Sequence, residues 1–176
     1  MAVKQNAPQK GNGNGRVFPR SWSQNPFLKK GPLHRFFYMG RTTRRIFKEA
    51  VLYMREGDLE GAFAKFLAAA SRSNNSAFSA DLHEMAGDTM LEMSRKQFDN
   101  PKINACLETA AGEYKSAASK CSGAEPERAA KLYGMAGEFF HKSGVQGQAR
   151  ECYALGSNLT TNQAFRNFLT AKSESL

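Results

Sequence analysis

The chain has 176 residues, 41% of them hydrophobic, enough for one domain with a sizeable core plus an extension. No apolar run approaches the about 18 residues needed to cross a bilayer, and the first stretch, MAVKQNAPQKGNGNGR, holds no hydrophobic block of the kind a secretory signal requires. The net charge of +9 sits at one end: residues 1–45 carry ten basic residues and no acid, whereas residues 46–176 carry fifteen basic and sixteen acidic residues.

Residues 1–34 read as an extended basic arm. Its cations are Lys4, Lys10, Arg16, Arg20, Lys29 and Lys30, and Arg35, Arg41, Arg44 and Arg45 continue the run. Phe18, Trp22, Phe27, Phe36, Phe37 and Tyr38 are interleaved with them, and four of the six prolines lie here. Up to about Pro32 no helical or strand period survives, so the segment is expected to lack a core of its own and to be disordered when alone. Lys and Arg neutralise phosphates, and aromatic rings stack on bases or fill pockets, so the composition suits an arm threaded over RNA. A protein surface or an anionic lipid headgroup are the alternative partners for the same charges. By composition alone the arm resembles the extensions of ribosomal and other ribonucleoprotein components. GNGNGR has neither the preceding strand nor the GK[ST] of a phosphate loop and reads as linker.

Residues 35–176 form the second part. Apolar spacing and turn signals predict helices over 35–56, 59–73, 77–97, 101–121, 126–143, 146–159 and 162–173. The start of the first is loosely defined, anywhere between Leu33 and Thr42. Asp58 is placed to cap the second helix, Asn100 followed by Pro101 to open the fourth, and Ser122–Pro126 to separate the fourth from the fifth.

Two of these stretches echo each other. Ala50, Tyr53, Gly57, Ala62, Phe66 and Ala69 are spaced 3, 4, 5, 4 and 3 apart; Gly137, Phe140, Gly144, Ala149, Tyr153 and Gly156 repeat the steps 87 residues later. Small residues let two helices cross closely, large ones fill the space beside the crossing, and each central glycine falls where a left-handed turn is needed. Between the two series, Ala86, Gly87 and Met90 lie on one predicted helix and Ala110, Tyr114 and Ala117 on the next. Two unrelated helix pairs would be the plain alternative to a repeat.

The series resembles the tetratricopeptide repeat, a helix–turn–helix unit of about 34 residues. Residues 130–163 match it best; residues 43–76 depart where Glu49 stands in place of the usual leucine, and neither unit has the closing proline. An offset of 87 leaves about 53 residues for the middle unit, closer to the longer helices of the SNAP-like branch. The resemblance implies an all-α fold: a right-handed array of about three helical hairpins, closed by the seventh helix as a cap. It also implies a concave face lined by the first helix of each hairpin, with Phe47, Val51, Met85, Lys131 and Met135 at the lining sites. Only Lys131 suits the family's clamp for a peptide carboxylate.

Asp81, Glu84 and Asp88 follow at spacings of 3 and 4 on one helix face. They are expected either to form a solvated acidic face or to hold a basic peptide in the groove, the protein's own arm included. Nothing in the body reads as catalytic. His34, His83 and His141 stand at no metal-ligand spacing to one another or to a cysteine. Met85, Met90 and Met93 fit core packing, and His141 a helix end. Cys106, Cys121 and Cys152 read as reduced, partly buried small hydrophobes, which points to an intracellular, cytoplasmic protein. Organellar import stays open for so basic a leading segment, although its glycines and prolines oppose the amphipathic helix of such signals. The expectation is a non-enzymatic scaffold without cofactor or metal, either part of a ribonucleoprotein particle anchored on RNA by the arm or an adaptor binding a peptide in its groove. Direct membrane attachment is the weakest of the partner readings.

Overall fold

The computed structural model describes residues 40–176, and these are all-helical with no strand among them. Seven helices follow in chain order: α1 Arg41–Glu56, α2 Leu59–Ser71, α3 Ser76–Lys96, α4 Asn100–Cys121, α5 Pro126–Lys142, α6 Gln146–Leu159 and α7 Gln163–Glu174. Each packs chiefly against the helix before it and the helix after it. Within the described residues the expected boundaries hold to within a few residues; the expected start of the first helix, at residue 35, lies outside them. The basic arm, with Lys4, Lys10, Arg16, Arg20, Trp22, Lys29, Lys30 and Arg35, lies outside the described residues.

Local chemistry explains the ends. Gly57 and Gly144 are the two described residues with positive φ, +82° and +89°, and they are the matched glycines of the two series. Each closes its helix with the same pair of bonds. Gly57 N–H reaches Met54 O and Asp58 N–H reaches Tyr53 O; Gly144 N–H reaches His141 O and Val145 N–H reaches Phe140 O. This is a Schellman closure, which needs a left-handed residue and so favours glycine. Asp58 caps α2 as expected, its carboxylate accepting from Gly61 N–H at 2.8 Å. Asn75 and Asn162 do the same for α3 and α7. The start of α4 falls one residue earlier than expected: Asp99 occupies the cap position, and Asn100 is already helical, with Pro101 in the first turn.

The core is built on close approach. Ala50, Ala62, Phe66 and Ala69 of the first series are fully buried, as are Ala149 and, nearly so, Phe140 and Tyr153 of the second. In three successive helix pairs a tyrosine ring lies over a glycine. A Cβ added to Gly61 would lie 2.9 Å from Tyr53, one added to Gly87 would lie 3.2 Å from Tyr114, and one added to Gly137 would lie 2.8 Å from Tyr153. Leu169, the buried residue of α7, is seated against Gly134 and Gly156 in the same way.

α3 is covered on nearly every side. Phe78, Leu82, Met85 and Ala86 join the core of α1 and α2, while Ala80 and Met90 join the core of α4 to α7. Met85 and Met90 are thus packing residues, as expected, with Met93 half-buried beside them. Burying a side chain such as Phe78 or Leu82 contributes about 1.5–3 kcal/mol, so α3 is the helix on which both halves of the core depend.

These contacts separate two glycines that a propensity scale treats alike. Gly112, also within a helix, has nothing within 4 Å of an added Cβ. Gly112→Ala is expected to raise stability by up to about 1 kcal/mol through helix propensity. Gly137→Ala is expected to lower it by about 1–2 kcal/mol, because overpacking against Tyr153 exceeds the same gain. Thermal unfolding of the two single variants reads the opposite signs directly.

Candidate functional site

The acidic residues singled out on α3 are brought together, but inward. Asp81 is 4% and Asp88 7% exposed, so they do not form a solvated face. Arg128, near the start of α5, donates through Nη2 to Asp81 Oδ1 and to Glu84 Oε2, both at 2.6 Å. Its Nη1 reaches Glu125 Oε2 at 3.3 Å. Asp88 accepts from the Tyr114 hydroxyl of α4 at 2.5 Å. Burial alone would push charge out of this region, and it opposes the Arg128 cation; Asp81 and Glu84 more than offset that, so the guanidinium is held charged. Burial and the neighbouring Asp88 carboxylate together push the Tyr114 hydroxyl well above its ordinary range, so it stays protonated and donates. The cation expected from a bound basic peptide is thus supplied by the fold itself, at Arg128.

The remaining groove positions divide. Lys131 and Met135 of α5 are exposed, Val51 is half-buried, and Phe47 and Met85 are buried in the core. The two buried positions therefore do not line an open face. Phe47 instead packs edge-on against Phe78, with ring centroids 6.2 Å apart. Of the N-terminal cations, Arg41 and Arg45 are exposed on the first turns of α1, and Arg44 is half-buried.

Two open cavities lie elsewhere. One of about 500 Å³ is lined by Leu67, Ser73, Asn74, Ser79, His83 and Lys120. The other, of about 430 Å³, is lined by Lys115, Ser116, Ser119, Tyr133 and Glu151 and shares His83 and Lys120 with the first. Polar pairs line their walls: His83 Nδ1 lies 2.7 Å from Glu113 Oε2, and Lys115 Nζ lies 2.7 Å from Glu151 Oε2. No cluster of three or more His, Cys, Asp or Glu among the described residues is arranged to hold a metal ion. All three cysteines are free and buried. Burial raises the Cys106 and Cys121 thiols and pushes Cys152 up to about 11, so none is poised as a thiolate. Among the described residues no helix is long and apolar enough to cross a membrane.

A second carboxylate does work that sequence spacing gave no sign of. Glu127, also at the start of α5, accepts from the Thr160 hydroxyl at 2.7 Å, the Thr161 hydroxyl at 2.6 Å and the Thr161 N–H at 2.5 Å. Arg166 of α7 closes the same corner on Thr160 O. The Thr161 hydroxyl and N–H, joined by the Thr160 hydroxyl, hold the Glu127 carboxyl down at about 2. The link from α6 to α7 is thus fixed to α5.

No protein-family model, curated protein or solved structure matches the chain.

Two expectations follow from these contacts. Arg128→Met removes the guanidinium that bridges Asp81 and Glu84 and is expected to cost about 3 kcal/mol in urea unfolding; adding Asp81→Asn to that variant should recover part of the loss. Glu127, whose carboxyl is depressed in the folded chain, contributes fully above its ordinary value of 4.5, and the contribution is lost as pH falls toward about 2. Protection of the α7 amides, corrected for the intrinsic pH dependence of exchange, should fall across that window, and Glu127→Gln should remove that fall.

Proposed function

We propose that the protein is a non-catalytic scaffold, anchored on RNA by its basic N-terminal arm and part of a ribonucleoprotein assembly, with a tetratricopeptide-like body of about three helical hairpins and a capping helix. The observation that carries the RNA reading is the separation of charge: ten cations and no acid in residues 1–45, against a body of net charge −1. A chain with that excess at one end draws a polyanion to that end and leaves the body free for other contacts. The repeat reading is supported by packing between chain neighbours, by the identical closures at Gly57 and Gly144, and by the buried small residues of both series.

An adaptor that grips a basic peptide on Asp81, Glu84 and Asp88 has less behind it. Arg128 already sits on two of those carboxylates and the Tyr114 hydroxyl on the third. Lys131 remains exposed on α5 but stands alone among the lining sites as a polar group suited to a peptide carboxylate.

RNA affinity of the full chain, measured as a function of salt, tests the reading. With about five phosphates contacted, log K should fall against log salt with a slope of about −4 to −4.5 on a duplex and less steeply on a single strand. Removing residues 1–32 should weaken binding and make that slope shallower. An affinity that stays flat from low to high salt, or that survives the truncation intact, removes the arm as the anchor.

A further inference from the structure

The outer side of α1 carries a line of charge. Arg41, Arg45, Lys48, Leu52 and Arg55 follow one another at steps of four, three, four and three, which aligns them along one side of a helix. All five are exposed, whereas Thr43, Ile46, Phe47, Ala50 and Met54 are buried. The line spans about 21 Å at about 1.5 Å per residue. No ion pair among the described residues engages Arg41, Lys48 or Arg55. Arg45 has only a 3.8 Å approach to Glu49, and its side chain stays 75% exposed. Glu49 is held instead by Lys65 of α2, Nζ to Oε2 2.6 Å, which adds another cation beside the line. At the far end Glu56 and Asp58 close it, with Asp58 occupied in capping α2.

Three physical points say what fits there. The first turn of α1 holds cations and no acid; this opposes the helix dipole, and a bound anion reverses the penalty. The apolar side of α1 is occupied in the core, so the helix cannot bury that side in a bilayer as interfacial basic helices do. A nucleic-acid duplex offers about one charge per 1.7 Å of axis, so a rigid line of cations about 21 Å long finds a phosphate near each member.

We propose that Arg41, Arg45, Lys48 and Arg55 form a second phosphate-contacting surface, on the folded body, that continues the N-terminal arm along an RNA backbone. The inference rests on the RNA-anchoring reading above and adds to it where the body lies on the nucleic acid. Its contacts are to phosphate, so they set position and leave base sequence unread.

The test uses the full chain and a labelled RNA duplex two helical turns long, with anisotropy followed across a salt series. Three variants are compared with the parent: Arg45→Glu with Lys48→Glu and Arg55→Glu; the charge-preserving Arg45→Lys with Arg55→Lys; and an arm variant with Lys4, Lys10, Arg16, Arg20, Lys29 and Lys30 changed to Ser. The reversed variant should melt like the parent, because its sites are exposed. It should lose affinity equally for unrelated duplex sequences, and its salt slope should be shallower by about 2.7, at about 0.9 per lost contact. The charge-preserving variant should keep the parental slope. If the reversed variant binds with the parental slope while the arm variant loses binding, this surface is not used and the arm alone anchors the protein. If neither variant binds more weakly than the parent, or the parent does not bind, both readings fall. Displacement of the duplex by polyglutamate at matched charge would assign the surface to acidic protein and overturn the inference.

Discussion

The fold depends on how closely its helices can approach. In α1 with α2, α3 with α4, and α5 with α6, a tyrosine ring lies where a glycine has no side chain. A methyl group at that point would force a neighbour to move, so these pairs set the spacing of their helices. The buried alanines of α2, α4 and α5 follow from the same spacing, because larger side chains would not fit between axes brought so near. The spacing also has an electrostatic result: with Gly87 beneath its ring, Tyr114 lies close enough for its hydroxyl to reach Asp88.

Charge is handled differently inside and outside. The interior acids of α3 meet donors from α4 and α5, and Arg128 links α3 to α5 although α4 intervenes in the chain. A buried pair of this kind is weak grounds for added stability, since its desolvation cost is large. It does fix which face of α5 meets α3, because a rotation would carry Arg128 away from Asp81 and Glu84. On the outside, α1 keeps Arg41, Arg45, Lys48 and Arg55 in solvent, and its Glu49 is shared between Arg45 and Lys65. Asp81 and Asp88 are thus absorbed by the fold, whereas the cations along the outer side of α1 stay exposed.

Much of the helical layout was legible in the residues. The glycines at 57 and 144 marked the two left-handed closures, because few other residues adopt that backbone, and Asp58 marked a cap. The fourth helix was read one residue late, since Asn100 and Asp99 are both plausible cap residues and the Asp99 side chain makes no capping bond. The acidic triad was misplaced for a general reason. Periodicity separates an inner from an outer face only when a helix has an outer face, and α3 is covered by α2, α4 and the Arg128 side chain. Phe47 and Met85 were assigned to an open groove by analogy of position, yet both fill the core shared by α1, α2 and α3. Neither the Arg128 contacts to Asp81 and Glu84 nor the Glu127 contacts could be read along the chain, because those partners lie more than thirty residues away.

The Glu127 corner ties the last helix to those before it. Most contacts in this chain join neighbours, a topology that favours rapid formation from local pieces. α7 adds a longer-range tie: the link leading into it is held by the Glu127 carboxylate at the start of α5, and its one buried side chain needs Gly134 and Gly156 already in place. The seat of Leu169 therefore exists only once α5 and α6 have come together, which ties the helix at residues 163–174 to a surface it does not itself build.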